Sequence, residues 1–97
     1  MIEITHGTGC ITIKGHAGYA EIGKDIVCAG ISTLTQTFIA SVEELTTDKL
    51  KCDIAAGNAV IRYRDLTREA QLLLNSFFIG CEMIAAAYPK NVRLSKR

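Results

Sequence analysis

Residues 15–32 read GHAGYAEIGKDIVCAGIS, and the way this stretch divides decides the fold. Gly15 and His16 close a strand-like run, and Asp25-Ile26-Val27-Cys28 opens an apolar helix. The eleven residues between His16 and Cys28 include Gly18, Gly23 and Asp25, and the one strongly apolar aliphatic residue before Asp25 is Ile22. That composition predicts a mobile loop. Asp25 stands where an N-cap belongs, so Ile26, Val27 and Cys28 become the first three helical positions.

Downstream, Val27, Ile31, Leu34, Phe38, Val42 and Leu45 recur at the spacing of one helix face. Thr46-Thr47-Asp48 ends that helix. Leu50, Cys52 and Ile54 then alternate with Lys51 and Asp53, Gly57-Asn58 turns the chain, and Ile61 and Tyr63 oppose Arg62 and Arg64. This is a hairpin of half-buried strands. A second helical stripe follows in Leu66, Ala70, Leu73, Phe77, Cys81, Ile84 and Tyr88, broadened by Leu74, Phe78 and Ala85, and Pro89 stops it. The stripe is wider than one sheet face needs, and Gly80 inside it predicts close approach of another backbone. Val92 and Leu94 alternate with Arg93 and Ser95 as a short edge strand.

Upstream, Ile2, Ile4, Ile11 and Ile13 alternate with polar residues, giving a first hairpin joined by His6-Gly7-Thr8-Gly9, with His6 in a solvated turn. The order ββαββα(β) predicts an α+β, two-layer sandwich, with two helices packed on one face of a mixed or antiparallel sheet.

A chain of 97 residues, 48% hydrophobic, forms one domain over 1–97 and is too small for a cleft between two domains. A formal net charge of +1 points to neither nucleic acid nor membrane. No signal-like start and no uninterrupted apolar run of about 18 residues is present, which predicts a cytoplasmic protein. The four cysteines show no CxxC spacing and should remain thiols, with Cys10, Cys52 and Cys81 as small core residues. His6, Cys10, His16 and Cys28 match no compact zinc pattern, so neither metal nor cofactor is expected.

A histidine at a strand end and a cysteine in the first turn of the next helix meet across such a loop in the geometry of a thiolate-imidazolium pair. These residues carry a resemblance. Gly-His-Ala, a glycine-containing loop, Asp-Ile-Val-Cys-Ala and a serine four residues after the cysteine resemble the ribosomal-processing cysteine protease (Prp) family, and the likeness in length and element order covers nearly the whole chain. The resemblance implies a homodimeric endopeptidase that removes an N-terminal extension from large-subunit ribosomal protein twenty-seven. The alternative that the resemblance leaves open is a phage-type relative that processes a capsid or scaffold protein. It carries the catalytic histidine onto His16, the nucleophile onto Cys28, the acidic residue onto Asp25 and the serine of the next turn onto Ser32. Gly15 and Ala29 complete the supporting or substrate-binding set.

The chemistry has its own logic. A helix N-terminus and an imidazolium both favour thiolate over thiol. Attack on a peptide carbonyl gives an acyl-enzyme, with His16 returning a proton to the leaving amine and the Cys28 and Ala29 N–H groups as candidate oxyanion donors. Asp25 caps the helix or orients His16. Ser32 touches substrate or back-bonds within the helix. The reading from another class is a non-catalytic ribosome-associated or RNA-binding module that uses Lys90, Arg93, Lys96 and Arg97; the protease reading needs no nucleic acid.

Overall fold

A computed structural model of the chain describes residues 1–21 and 23–96, with Lys96 described by its backbone alone. Ile22 of the expected loop, and Arg97 and the Lys96 side chain of the basic tail, lie outside the described residues. The elements are β1 (Ile2–Gly7), β2 (Cys10–Lys14), α1 (Ile26–Leu45), β3 (Lys51–Ala55), β4 (Asn58–Arg62), α2 (Arg68–Ala87) and β5 (Val92–Lys96). The strands form one sheet in the order β3-β4-β2-β1-β5. β5 runs parallel to β1 and the other neighbours are antiparallel, so the α+β order is as expected and the sheet is mixed.

Cross-strand partners share a face, and the register pairs Ile4 with Ile13, Ile11 with Ile61, Ile13 with Ala59 and Ile2 with Val92. All of these are buried in one cluster with Val27, Ile31, Phe38 and Val42 of α1 and Ala70, Leu74, Phe77 and Cys81 of α2. Both helices therefore cover the same face of the sheet. By length and composition alone each 20-residue helix is also apolar enough to cross a membrane. Here their buried stripes are taken up by the sheet, as in core helices of a two-layer domain.

Asp25 caps α1, and Thr67 caps α2 by accepting from the Ala70 N–H at 3.2 Å. The Thr67 hydroxyl donates in turn to the Asp48 carboxylate, which also accepts from the Thr67 N–H, and these bonds, the side-chain one first, lower its carboxyl from the ordinary value. This ties the end of α1 to the start of α2.

Several expectations about packing change. A Cβ on Gly80 would lie 2.7 Å from Leu34 Cδ2, and one on Gly30 3.0 Å from Ile84 Cδ1. Each helix thus offers a glycine to an aliphatic side chain of the other, so Gly80 admits a side chain of the same fold and not a second backbone. His6 lies in β1 rather than in a solvated turn; its Nε2 is 2.7 Å from the Tyr63 hydroxyl, and its ring stacks on Phe78 at 4.5 Å. β3 is exposed along its whole length because it is the edge strand beyond the reach of the helices, which leaves Cys52 and Ile54 open to solvent. Cys10 is only half-buried, so of the three expected core thiols Cys81 alone is buried. Leu45, in the last turn of α1, is exposed.

Candidate active site

Gly15 turns the chain out of β2 at φ +97, with its N–H on the Gly57 carbonyl at 2.9 Å, and so delivers His16 to the β3–β4 turn. The exposed His16 ring lies over Gly57, where a Cβ would come within 2.7 Å of Nε2. Cys28, half-buried, is the third residue of α1. Both residues line a groove of about 230 Å³ between α1 and the β3–β4 hairpin, together with Gly15, Ser32, Ile54 and Gly57. A second groove of about 510 Å³, on the loop side, also contains His16, Cys28 and Ser32, with Asp25, Ile26 and Ala29. The six residues singled out in the sequence therefore converge on adjoining grooves. Among the described residues the hydrogen bonds include none between the His16 ring and the Cys28 thiol, and such contacts commonly tighten only when substrate is bound.

Asp25 is buried, and its carboxylate accepts four backbone N–H groups: Val27 and Cys28 on Oδ1, each at 3.0 Å, and Tyr19 and Ala20 on Oδ2 at 3.0 and 3.3 Å. A carboxylate offers about four lone-pair directions. All are spent on the helix start and the loop, which leaves Asp25 a cap and loop anchor with nothing for His16. The Cys28 N–H is the largest influence holding its carboxyl below the ordinary value, against an opposing effect of burial. A depressed folded-state value contributes stability above the unfolded value of about 3.9 that is lost as pH falls through the folded one. The wild-type melting temperature is therefore expected to fall more steeply below about pH 4 than that of Asp25→Asn, which starts lower at neutral pH. Parallel acid limbs in thermal melts of the two proteins would remove this role.

The oxyanion donors expected at the helix start are also occupied. The Cys28 N–H goes to Asp25 Oδ1, and the Ala29 N–H goes to the Asp25 carbonyl at 3.0 Å. A different N–H faces the sulfur: that of Ala17, 3.2 Å from Cys28 Sγ. Ala17 is itself held by Asn91, whose side-chain amide donates to the Ala17 carbonyl at 2.8 Å. Neither was given a role in the sequence: Ala17 stood only as the third residue of Gly-His-Ala, since a backbone donor has no side-chain signature, and Asn91 follows Pro89 in an ordinary helix-to-strand turn. Thr33 and Thr35 back-bond to Ala29 and Ile31. The Ser32 hydroxyl makes no hydrogen bond among the described residues and borders both grooves. Of the basic tail, Arg93 is paired with Glu3.

Ile26 and Ile54, which line the grooves with the thiol, are large apolar side chains left 58% and 56% exposed. A thiol at a helix N-terminus, a histidine across a groove and an apolar rim suit covalent attack on an extended, partly apolar chain.

The comparisons agree with that chemistry. The family model described as cysteine protease Prp matches residues 1–93. The ribosomal processing cysteine protease Prp of Staphylococcus aureus (strain Mu50) is 33% identical over 88 residues, covering 88% of this chain and 83% of its own. That of Mycoplasma genitalium is 32% identical over 100 residues, covering 99% and 96%. Two crystal structures of the S. aureus protease superpose over all of both chains. One, with a covalently linked product peptide, has TM-score 0.96 and 28% identity, and the other, with a substrate peptide, 0.89 and 27%. A thiol and histidine on one groove, a family match over nearly every residue and relatives above 30% identity converge: the chain belongs to the cysteine protease Prp family.

Proposed function

We propose that this chain is a cytoplasmic endopeptidase that removes an N-terminal extension from large-subunit ribosomal protein twenty-seven, with Cys28 as nucleophile and His16 as its proton-transfer partner. The observation that carries the reading is that His16 and Cys28 share one groove, with a backbone N–H aimed at the sulfur. The S. aureus relative takes a substrate peptide and is also found covalently linked to a product peptide, which accords with covalent catalysis here. The Cys28 thiolate attacks the scissile carbonyl, and the tetrahedral intermediate collapses as its C–N bond breaks and His16 protonates the leaving amine. Water, deprotonated by His16, then hydrolyses the thioester, releasing the extension as a carboxylic acid and restoring the thiol.

Two readouts test the proposal. Mass spectrometry of unprocessed ribosomal protein twenty-seven incubated with this protein should show loss of an N-terminal peptide; an intact substrate removes the substrate assignment. Brief iodoacetamide treatment near pH 6.5 should label Cys28 first and spare Cys81, whose thiol is pushed up to about 12 by burial and Glu82, with the exposed Cys52 slower than Cys28 because partial desolvation and Glu43 raise its thiol. His16→Ala should slow labelling of Cys28 alone. Equal labelling of all four thiols removes the dyad.

A homodimer is part of the same proposal. Gly80 no longer argues for it, but Leu72, Ile79 and Met83 form an exposed apolar stripe on α2. A sedimentation coefficient for a dimer is expected at micromolar concentration, and a monomer unaffected by Ile79→Lys overturns it.

A further inference from the structure

Ala17 stands apart from its neighbours. His16, Gly18, Tyr19 and Ala20 are exposed, while the Ala17 side chain is 2% exposed and belongs to the core. Its carbonyl is held by Asn91 at 2.8 Å, and its N–H is given to Cys28 Sγ at 3.2 Å. Every part of this residue is fixed just before Gly18, which sits at φ +68 with nothing within 4 Å of where a Cβ would lie. Asn91 is itself immobilised: its N–H bonds the Tyr88 carbonyl at 2.9 Å, and its carbonyl accepts from the Ile2 N–H at 2.8 Å. The amide thus projects from a frame built of α2, β1 and the start of β5.

We infer that Asn91 is a positioning residue of the active site, holding Ala17 so that its N–H points at the Cys28 sulfur and its peptide link sets the backbone of His16. The two consequences share one cause. The Ala17 N–H belongs to the peptide that joins it to His16, so letting Ala17 turn displaces the thiolate's donor and the histidine together. A donor aimed at sulfur stabilises the charged nucleophile relative to the neutral thiol. The helix-start N–H groups cannot replace it, because those of Cys28 and Ala29 are committed to Asp25.

The inference rests on the assignment of Cys28 as nucleophile, and its test separates the two. Asn91→Asp keeps the shape and backbone bonds but removes the amide donor; Asn91→Gln retains a donor on a longer arm. Asn91→Asp should slow both iodoacetamide labelling of Cys28 and kcat by roughly tenfold or more, with KM nearly unchanged. Asn91→Gln should recover part of both, and labelling of Cys10 should stay at the wild-type rate in each variant. A merely structural Asn91 would lower the melting temperature and leave the Cys28 rate of the folded protein unchanged; that result overturns the inference. If Asn91→Asp does not fold, Asn91→Ala supplies the same comparison, since it too removes the donor. Failure of the nucleophile assignment is read elsewhere, as cleavage that persists in Cys28→Ala.

Discussion

Cys28→Ala is expected to reduce peptide cleavage at least about 10⁴-fold while leaving a folded protein. The rate loss follows from removing the only atom in the proposed mechanism that bonds to substrate, with nothing else in the groove able to form the thioester. The stability cost should be small. Cys28 is half-buried and its sulfur receives a hydrogen bond from Ala17, so its removal forfeits about 1 kcal/mol and lowers the melting temperature by a few degrees. His16→Ala should be nearly as inactive, because base and nucleophile act as a unit, and the double variant should be little worse than either single one. The His16 ring is exposed over Gly57, so its loss opens no core cavity. Cleavage assays beside thermal melts decide the matter. Cys28→Ala that still cuts at wild-type rate would discard the nucleophile assignment, and a double variant far below both singles would discard the dyad.

What the sequence could and could not announce follows from the kind of interaction involved. Period-two alternation at Ile2, Ile4, Ile11 and Ile13 and helical spacing from Val27 to Val42 report which face of an element is apolar, and those faces are buried as expected. They do not report how far the covering layer extends. Leu50, Cys52 and Ile54 alternate as well as any core strand, yet β3 lies at the sheet edge past the helices and only Leu50 is covered. The same limit misplaced Leu45, whereas Cys10 stands across from Arg62 on the sheet face opposite the buried Ile11, so the alternation itself keeps it off the core. Gly80 signalled close packing correctly, but spacing alone cannot say whether the close partner is a backbone or, as here, Leu34. At the candidate site, the meeting of His16 and Cys28 on one groove and the Asp25 cap were legible because each is a side chain with its own chemistry at a recognisable spacing. The Ala17 N–H and the Asn91 amide were not, since one is main chain and the other comes from 74 residues away.

Gly15→Ala should unfold the protein or come close to it. Gly15 sits at φ +97, where an L side chain is strained by about 1–3 kcal/mol. Its Cβ would also lie 2.3 Å from the Met1 carbonyl oxygen, a contact no relaxed structure contains. Neither side can readily give way. Met1 is followed by Ile2, 3% exposed, with its N–H on the Asn91 carbonyl, and the Gly15 N–H is bonded to Gly57. Relieving the clash therefore pulls β1 from the sheet or β2 from the β3–β4 turn. A cost of about 3 kcal/mol or more corresponds to a fall of roughly 12–24 °C in the melting temperature of a domain this size, from a total stability of about 5–15 kcal/mol. Any protein that remains folded should be poorly active, since Gly15 delivers His16. Gly18→Ala is the control: it shares the left-handed backbone at φ +68 but meets nothing within 4 Å, so it should lose only the strain of about 1–2 kcal/mol. Differential scanning calorimetry of the two variants side by side reads the difference. If Gly15→Ala melts no lower than Gly18→Ala, the close approach of Met1 to Gly15 contributes nothing to the fold, and the path that brings His16 to the groove must be held from elsewhere.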